Sequence, residues 1–130
     1  MTAGERYVVL VADDNEGLRA TTSLILREAG YELVEAEDGD DALARLSTAS
    51  FDVVLLDVRM PKADGTAVVE NILPEPPPPV IVIVTAYDIE SDVRAKLGNK
   101  VYRVLRKPVD PTQLIDVVGE AARLARAAGQ

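Results

Sequence analysis

The chain has 130 residues, the size of one ordinary domain, and a domain of that size can bury about two-thirds of the surface its unfolded form exposes. It has no cysteine and no histidine, which excludes zinc fingers, thiol catalysis, Ser-His and Cys-His triads and haem ligation and leaves carboxylates, hydroxyls, Lys and Arg for any chemistry. With 14 basic against 22 acidic residues the formal charge is −8, which disfavours direct nucleic-acid binding, and 48% hydrophobic with 28% charged is the composition of a soluble globular protein.

In chain order, Met1 to Arg6 has neither the basic start nor the apolar stretch of a signal peptide, and no later run approaches a membrane span, so a cytoplasmic location without membrane contact is expected. Tyr7 to Ala12 is β-branched and apolar without alternation, the pattern of a strand covered on both faces. A helix-period segment follows, with Leu18, Thr22, Ile25, Leu26 and Ala29 on one stripe and Gly30 as its stop signal. Glu32 to Ala36 is a mixed, shorter strand. Asp38 can cap a second helix with apolar positions Ala42, Leu43 and Leu46. Val53 to Leu56 and Val80 to Val84 repeat the buried-strand pattern, with a short helix near Thr66 to Ile72 between them. Pro74 to Pro79 reads as a stiff connection into the fourth strand, or else as a proline-rich recognition motif. A short helix near Ser91 to Leu97 precedes a mixed fifth strand, Val101 to Leu105. The last helix is the best signalled, with Asp110 as N-cap, Pro111 in the first position and Gln113 three residues after the cap. Its stripe is Leu114, Val117, Val118, Ala121, Leu124 and Ala125, with Asp116, Glu120 and Arg123 left for water.

Strands and helices alternating this regularly predict right-handed βαβ crossovers and an α/β fold: a flavodoxin-like doubly wound (βα)5 sandwich with a five-stranded parallel sheet in the order 2-1-3-4-5. The mixed second and fifth strands suit the edges. Ligands of such sheets bind at the carboxyl ends of the strands, and those ends are polar here. Asp13 and Asp14 follow the first strand, Asp57 the third, Thr85 the fourth and Lys107-Pro108 the fifth. One Asp after a strand is commonly a helix cap or turn former; three carboxylates converging with a hydroxyl and an ammonium make a site. Uncompensated carboxylates disfavour one another's charged forms, so they call for a cation. Mg²⁺, which retains waters, suits an open site with few carboxylates. With that ion, Lys107 and Thr85 can neutralise the equatorial oxygens of a transferring phosphoryl group.

Asp13-Asp14, Asp57 within Val53-Val54-Leu55-Leu56-Asp57-Val58-Arg59-Met60-Pro61-Lys62-Ala63-Asp64-Gly65, Thr85-Ala86 and Lys107-Pro108 carry a resemblance to a known family. In the order and spacing of these motifs the chain resembles the receiver domain of two-component response regulators, over residues 6–128. The resemblance implies that Asp57 accepts a phosphoryl group from a histidine kinase or phosphotransfer protein, as an acyl phosphate. It implies that Asp13, Asp14, Asp57 and the backbone carbonyl of Arg59 hold Mg²⁺ directly or through water, and that Thr85 and Lys107 bind the phosphoryl oxygens. A signalling switch is implied, catalysing only its own phosphorylation and slow dephosphorylation, with a downstream effector protein or domain as second partner. A carboxylate nucleophile, ionised at neutral pH, needs no histidine base. Lys107-Pro108 is expected as a cis peptide that aims the lysine into the site, the plain alternative being a strand terminator.

The chain departs from the family at Val104, three positions before the lysine, where most receivers carry an aromatic residue. Tyr102 is expected on the same strand face but farther from the site. Either Tyr102 substitutes, or the signal travels through backbone and fourth-helix shifts, or the domain is a pseudo-receiver, an interaction module independent of phosphorylation. Arg59 and Tyr87, two residues after Asp57 and Thr85, are either rim residues or shields that lengthen the life of the acyl phosphate. Arg94, Lys96, Lys100, Arg103 and Arg106 form either a solvated basic face or the surface of a homodimer through the fourth helix, fifth strand and last helix, pairing with Asp92, Asp116 or Glu120. A haloacid-dehalogenase-type phosphatase is disfavoured, because its second Asp is here Arg59, and nucleotide binding fails for want of a Gly-rich turn or P-loop. With only four residues from Ala127 onward, the chain reads as a stand-alone receiver or as the receiver of a larger regulator or hybrid kinase.

Overall fold

Residues 6–58, 65–70, 78–86 and 90–128 are described in the computed structural model of the chain. β-Branched side chains, stiff at χ1, favour extended backbone, and each apolar run of the sequence becomes a strand. The strands β1 (Val8–Ala12), β2 (Glu32–Ala36), β3 (Val53–Leu56), β4 (Val80–Thr85) and β5 (Val101–Arg106) alternate with the helices α1 (Glu16–Glu28), α2 (Gly39–Thr48), α3 (Gly65–Glu70), α4 (Glu90–Leu97) and α5 (Pro111–Ala128). All pairings are parallel, in the order β2-β1-β3-β4-β5. This is the expected flavodoxin-like sheet, with the two mixed strands at its edges.

Successive side chains of a strand point to opposite faces, and both faces here are covered. Val9, Val11, Val53, Leu55 and Val82 pack with Leu26 of α1 and with Leu114, Val117 and Val118 of α5. Leu10, Ala12, Val54, Leu56 and Ile83 pack with Ala42, Val68, Val69, Val93 and Leu97 of α2, α3 and α4. Two-sided burial explains why the inner strands show no alternation. It also forces their polar neighbours out to the strand ends, which in a parallel sheet lie along one edge.

The helix ends follow local chemistry. Asn15 caps α1, its side chain accepting from Leu18 N at 3.0 Å, so neither Asp13 nor Asp14 is spent as that cap. At the other end Gly30 adopts φ 104°, Gly30 N donates to Arg27 O and Tyr31 N to Leu26 O, the paired closing bonds that a left-handed residue after a helix allows. Asp38 caps α2 by accepting from Asp41 N at 2.8 Å. Asp110 accepts from Thr112 N at 3.0 Å, an N-cap bond to the second helical residue rather than the bond to Gln113 N that the expected capping box calls for. The Lys107–Pro108 peptide is cis, as expected.

Three expectations need correction. On α1, Leu18 is 45% exposed and Ala29 is exposed, while Ser23 and Leu26 are buried, because the helix rolls its Leu26 side onto the sheet. On α5, Leu124 is 48% exposed and Ala122 is buried in its place, since a small residue lets the helix lie closer to the strands. The third correction concerns β5. Ile81 is level with Val101 but Val82 with Arg103, so Tyr102 is an extra residue, a β-bulge that breaks the period of two. Val101 and Val104 pack toward α2, α3 and α4, whereas Tyr102 and Leu105 pack toward α5. Tyr102 is therefore on the opposite face from Val104, and it does not substitute for the missing aromatic. Ile72, Pro74 to Pro77, Arg59 and Tyr87 lie outside the described residues.

Candidate functional site

The sheet itself places the polar strand ends. Asp57 N donates to Ala12 O at 3.0 Å and Asp13 N to Ala36 O at 3.2 Å, each continuing a strand ladder by one bond. Asp13, Asp14 and Asp57 thereby offer three carboxylate oxygens within 4.8 Å of one another. Asp13 is buried, Asp57 partly buried and Asp14 exposed. Lys107 N donates to Thr85 O at 2.7 Å, tying the end of β5 to that of β4. From there Lys107 Nζ reaches Asp13 Oδ2 at 2.7 Å and Asp57 Oδ2 at 3.0 Å. Thr85 is fully buried. The structure thus gathers Asp13, Asp14, Asp57, Lys107 and Thr85 on the one edge that the strand order dictates; the carbonyl of Arg59 falls outside the described residues.

Burial works against the charge on Lys107, but its hydrogen bonds and Coulombic attraction to Asp13 and Asp57 outweigh that, and its pKa lies above the ordinary lysine value. Three carboxylates against one ammonium leave two negative charges, the complement of one divalent cation. The donor set is all oxygen. Opposite ligands of an octahedral Mg²⁺ with about 2.1 Å bonds stand about 4.2 Å apart, close to the spread seen, so the residues fit the ion.

Sequence reasoning missed two features. Arg19, one turn into α1, donates from Nη1 to the backbone oxygen of Asp13 at 2.8 Å and from Nε to Glu35 Oε1 at 3.1 Å. Its signal was faint, an arginine four residues after the cap beside an acidic loop. The second is a cleft of about 540 Å³ running from Asp13, Asp57 and Lys107 along Leu18, Ile25 and Pro108 between α1 and the start of α5. A cleft formed by two helices distant in sequence leaves no local pattern to read.

The family model for the response regulator receiver domain matches residues 9–119. The chain belongs to the response regulator receiver family. It is 33% identical over 113 residues, 87% of its length, to the transcriptional regulatory protein GlrR of Escherichia coli. It is 32% identical over 108 residues, 83% of its length, to a response regulator receiver protein of Anaeromyxobacter. The chain spans 26% and 45% of the lengths of these two relatives. Its fold matches that of a CheY-like receiver domain protein from Methanospirillum hungatei with a TM-score of 0.88, at 25% identity, over 96% of this chain and 100% of that one. Receiver domains are signalling switches that partner with histidine kinases and effector domains, and the family typically binds Mg²⁺. Among the described residues of this receiver, no helix is long and apolar enough to cross a membrane.

Proposed function

We propose that residues 6–128 form a phosphoacceptor domain that works in the cytoplasm and takes a phosphoryl group onto Asp57 from a histidine kinase or phosphotransfer protein. The observation that carries this is Lys107 Nζ bridging Asp13 and Asp57 inside the three-carboxylate cluster. An Asp57 oxygen attacks phosphorus as the bond to the donor nitrogen breaks; the electron pair leaves with the imidazole, which takes a proton from water. Lys107 sits where an added phosphoryl group needs a counter-charge, and Thr85 supplies a hydroxyl at the end of the neighbouring strand. Asp13, Asp14 and Asp57, with the Arg59 carbonyl, are the groups that would hold Mg²⁺. Bound there, the ion would offset charge on the phosphoryl oxygens and on the carboxylates as the donor approaches.

The test is intact mass after incubation with Mg²⁺ and acetyl phosphate. One added phosphate is expected on the wild type and none on Asp57→Asn. A wild type that also takes none, from acetyl phosphate or from a kinase, leaves the rival reading, an interaction module independent of phosphorylation. Val104, with Tyr102 turned to the other face, is the observation that favours that rival.

On the output side, the reading includes an effector protein or domain and a homodimer through α4, β5 and α5. Several basic residues of that face already serve the fold: Arg94 donates to Val101 O and Tyr102 O, Lys96 pairs with Glu70 and Arg106 donates to Ala86 O. Lys100, exposed, and Arg103, half-buried, are the charges proposed to face a second copy. Sedimentation with and without a phosphoryl mimic checks this, and a monomer in both states rejects the dimer.

A further inference from the structure

We propose that Arg19 is a positioning residue for the acidic pair, fixing the peptide between Asp13 and Asp14 at the angle that turns both carboxylates toward one cation. The inference rests on the metal-binding reading of the site given above. Asp14 is exposed and makes no hydrogen bond or ion pair among the described residues, so its carboxylate is aimed by the backbone alone. Ahead of Asp14 that backbone is gripped at one atom. The carbonyl of Asp13, which shares a rigid planar unit with the N–H of Asp14, accepts from Arg19 Nη1 at 2.8 Å. The guanidinium is itself held by Glu35 on β2, 3.1 Å from Nε, and only 15% of its side chain is exposed. A planar fork anchored at two points cannot swing, whereas a lysine ammonium there, a single point charge on a flexible stem, would hold the same anchors less rigidly.

The remaining polar atoms of Asp13 are engaged elsewhere. Its N–H donates to Ala36 O, Oδ1 accepts from Asn15 N at 2.9 Å and Oδ2 accepts from Lys107. The bond from Asn15 N also ties down the peptide after Asp14, and the tilt of the peptide before it, between Asp13 and Asp14, is left to Arg19. Helical side chains lean toward the N-terminus of their helix, which is why a residue one turn into α1 reaches back to the loop before it.

The sign of the effect separates positioning from charge. By charge alone, deleting a cation beside three carboxylates tightens the binding of another cation; losing the positioning weakens it. The experiment is a Mg²⁺ titration followed by backbone amide resonances in the wild type, Arg19→Ala and Arg19→Lys, with thermal unfolding of each recorded without metal. Arg19→Ala is expected to bind on the order of tenfold more weakly, the range seen when outer partners of metal ligands are removed, and Arg19→Lys to recover only part of the loss. In the metal-free protein the Asp14 amide resonance should move or broaden in Arg19→Ala. Wild-type or tighter affinity in either folded variant overturns the proposal, and if Arg19→Ala does not fold, Arg19→Lys alone decides. A wild type that binds no Mg²⁺ overturns the metal-binding reading as well. An unchanged metal-free Asp14 resonance in a folded Arg19→Ala overturns the positioning role by itself.

Discussion

Lys107 shows how one side chain can hold a site together. Its ammonium is shared between Asp13 and Asp57, and without it two carboxylates would face each other at the end of a buried sheet. Because its pKa is raised above the ordinary 10.5, the folded state binds this proton more tightly than the unfolded chain does. The stability it lends is complete below 10.5, the unfolded value, and is lost as pH rises through the higher folded value. Urea unfolding across the alkaline range should show this fall in the wild type and a smaller one in Lys107→Met. Part of the fall should persist in the variant, because burial raises the pKa of Tyr31 in the same direction. Asp13, Asp14, Asp57, Thr85 and Lys107 were legible in the sequence because each lies at the end of a recognisable strand. Arg19 was not, because the partner that ties it to the site is a backbone oxygen and a main-chain acceptor leaves no mark on residue identity.

Among the elements, β5 departs furthest from its sequence pattern. The bulge at Tyr102 is held from both sides. Arg94 of α4 donates to the carbonyls of Val101 and Tyr102, and the Tyr102 hydroxyl donates to Glu120 Oε2 of α5 at 2.8 Å. In this receiver, then, α4, β5 and α5 are joined through the bulge by hydrogen bonds. The Glu120 bond is the main reason the Tyr102 pKa lies above the ordinary 10.0. Glu120→Gln should bring it back toward that value, read from the Tyr102 ring carbon resonance against pH, and a titration identical to the wild type would show that the bond does not persist in solution. A period-of-two reading placed Tyr102 with Val104, and one inserted residue was enough to reverse it. Bulges in parallel sheets are rare, and Val101 to Arg106 contains no Gly or Pro to announce one. The rolls of α1 and α5 were similarly illegible, because a stripe of apolar residues defines a face only to within about one helical position.

On the scale of the whole molecule, the edge of the sheet opposite the site is closed by Asp52. Its backbone pairs with Val8 and Val80, and its side chain accepts from Val8 N at 2.8 Å. Arg126, near the end of α5, grips the same carboxylate with bonds of 2.7 and 3.1 Å, donates to Arg6 O and lies over the ring of Tyr7 at 4.8 Å. The last helix is thus fastened to the start of the first and third strands. Asp52→Ala removes the side-chain acceptor of Val8 N and two bonds of the half-buried Arg126 guanidinium and should cost about 2 kcal/mol in urea unfolding. Phosphate uptake at Asp57, at the far ends of the strands, should be unchanged; an equal loss of both would mean that the two edges are coupled.

The sequence by itself determined the number and order of the strands, the parallel sheet, and the residues at its carboxyl edge. Those properties rest on local chemistry: β-branched runs, caps and the polar residue that ends each run. The tertiary structure alone decided which face Tyr102 occupies, that Arg19 grips the Asp13 carbonyl, and that Lys107 is shared by two acids 94 and 50 residues away. These depend on distances between segments far apart in the chain, set when both faces of the sheet are packed. No periodicity encodes them.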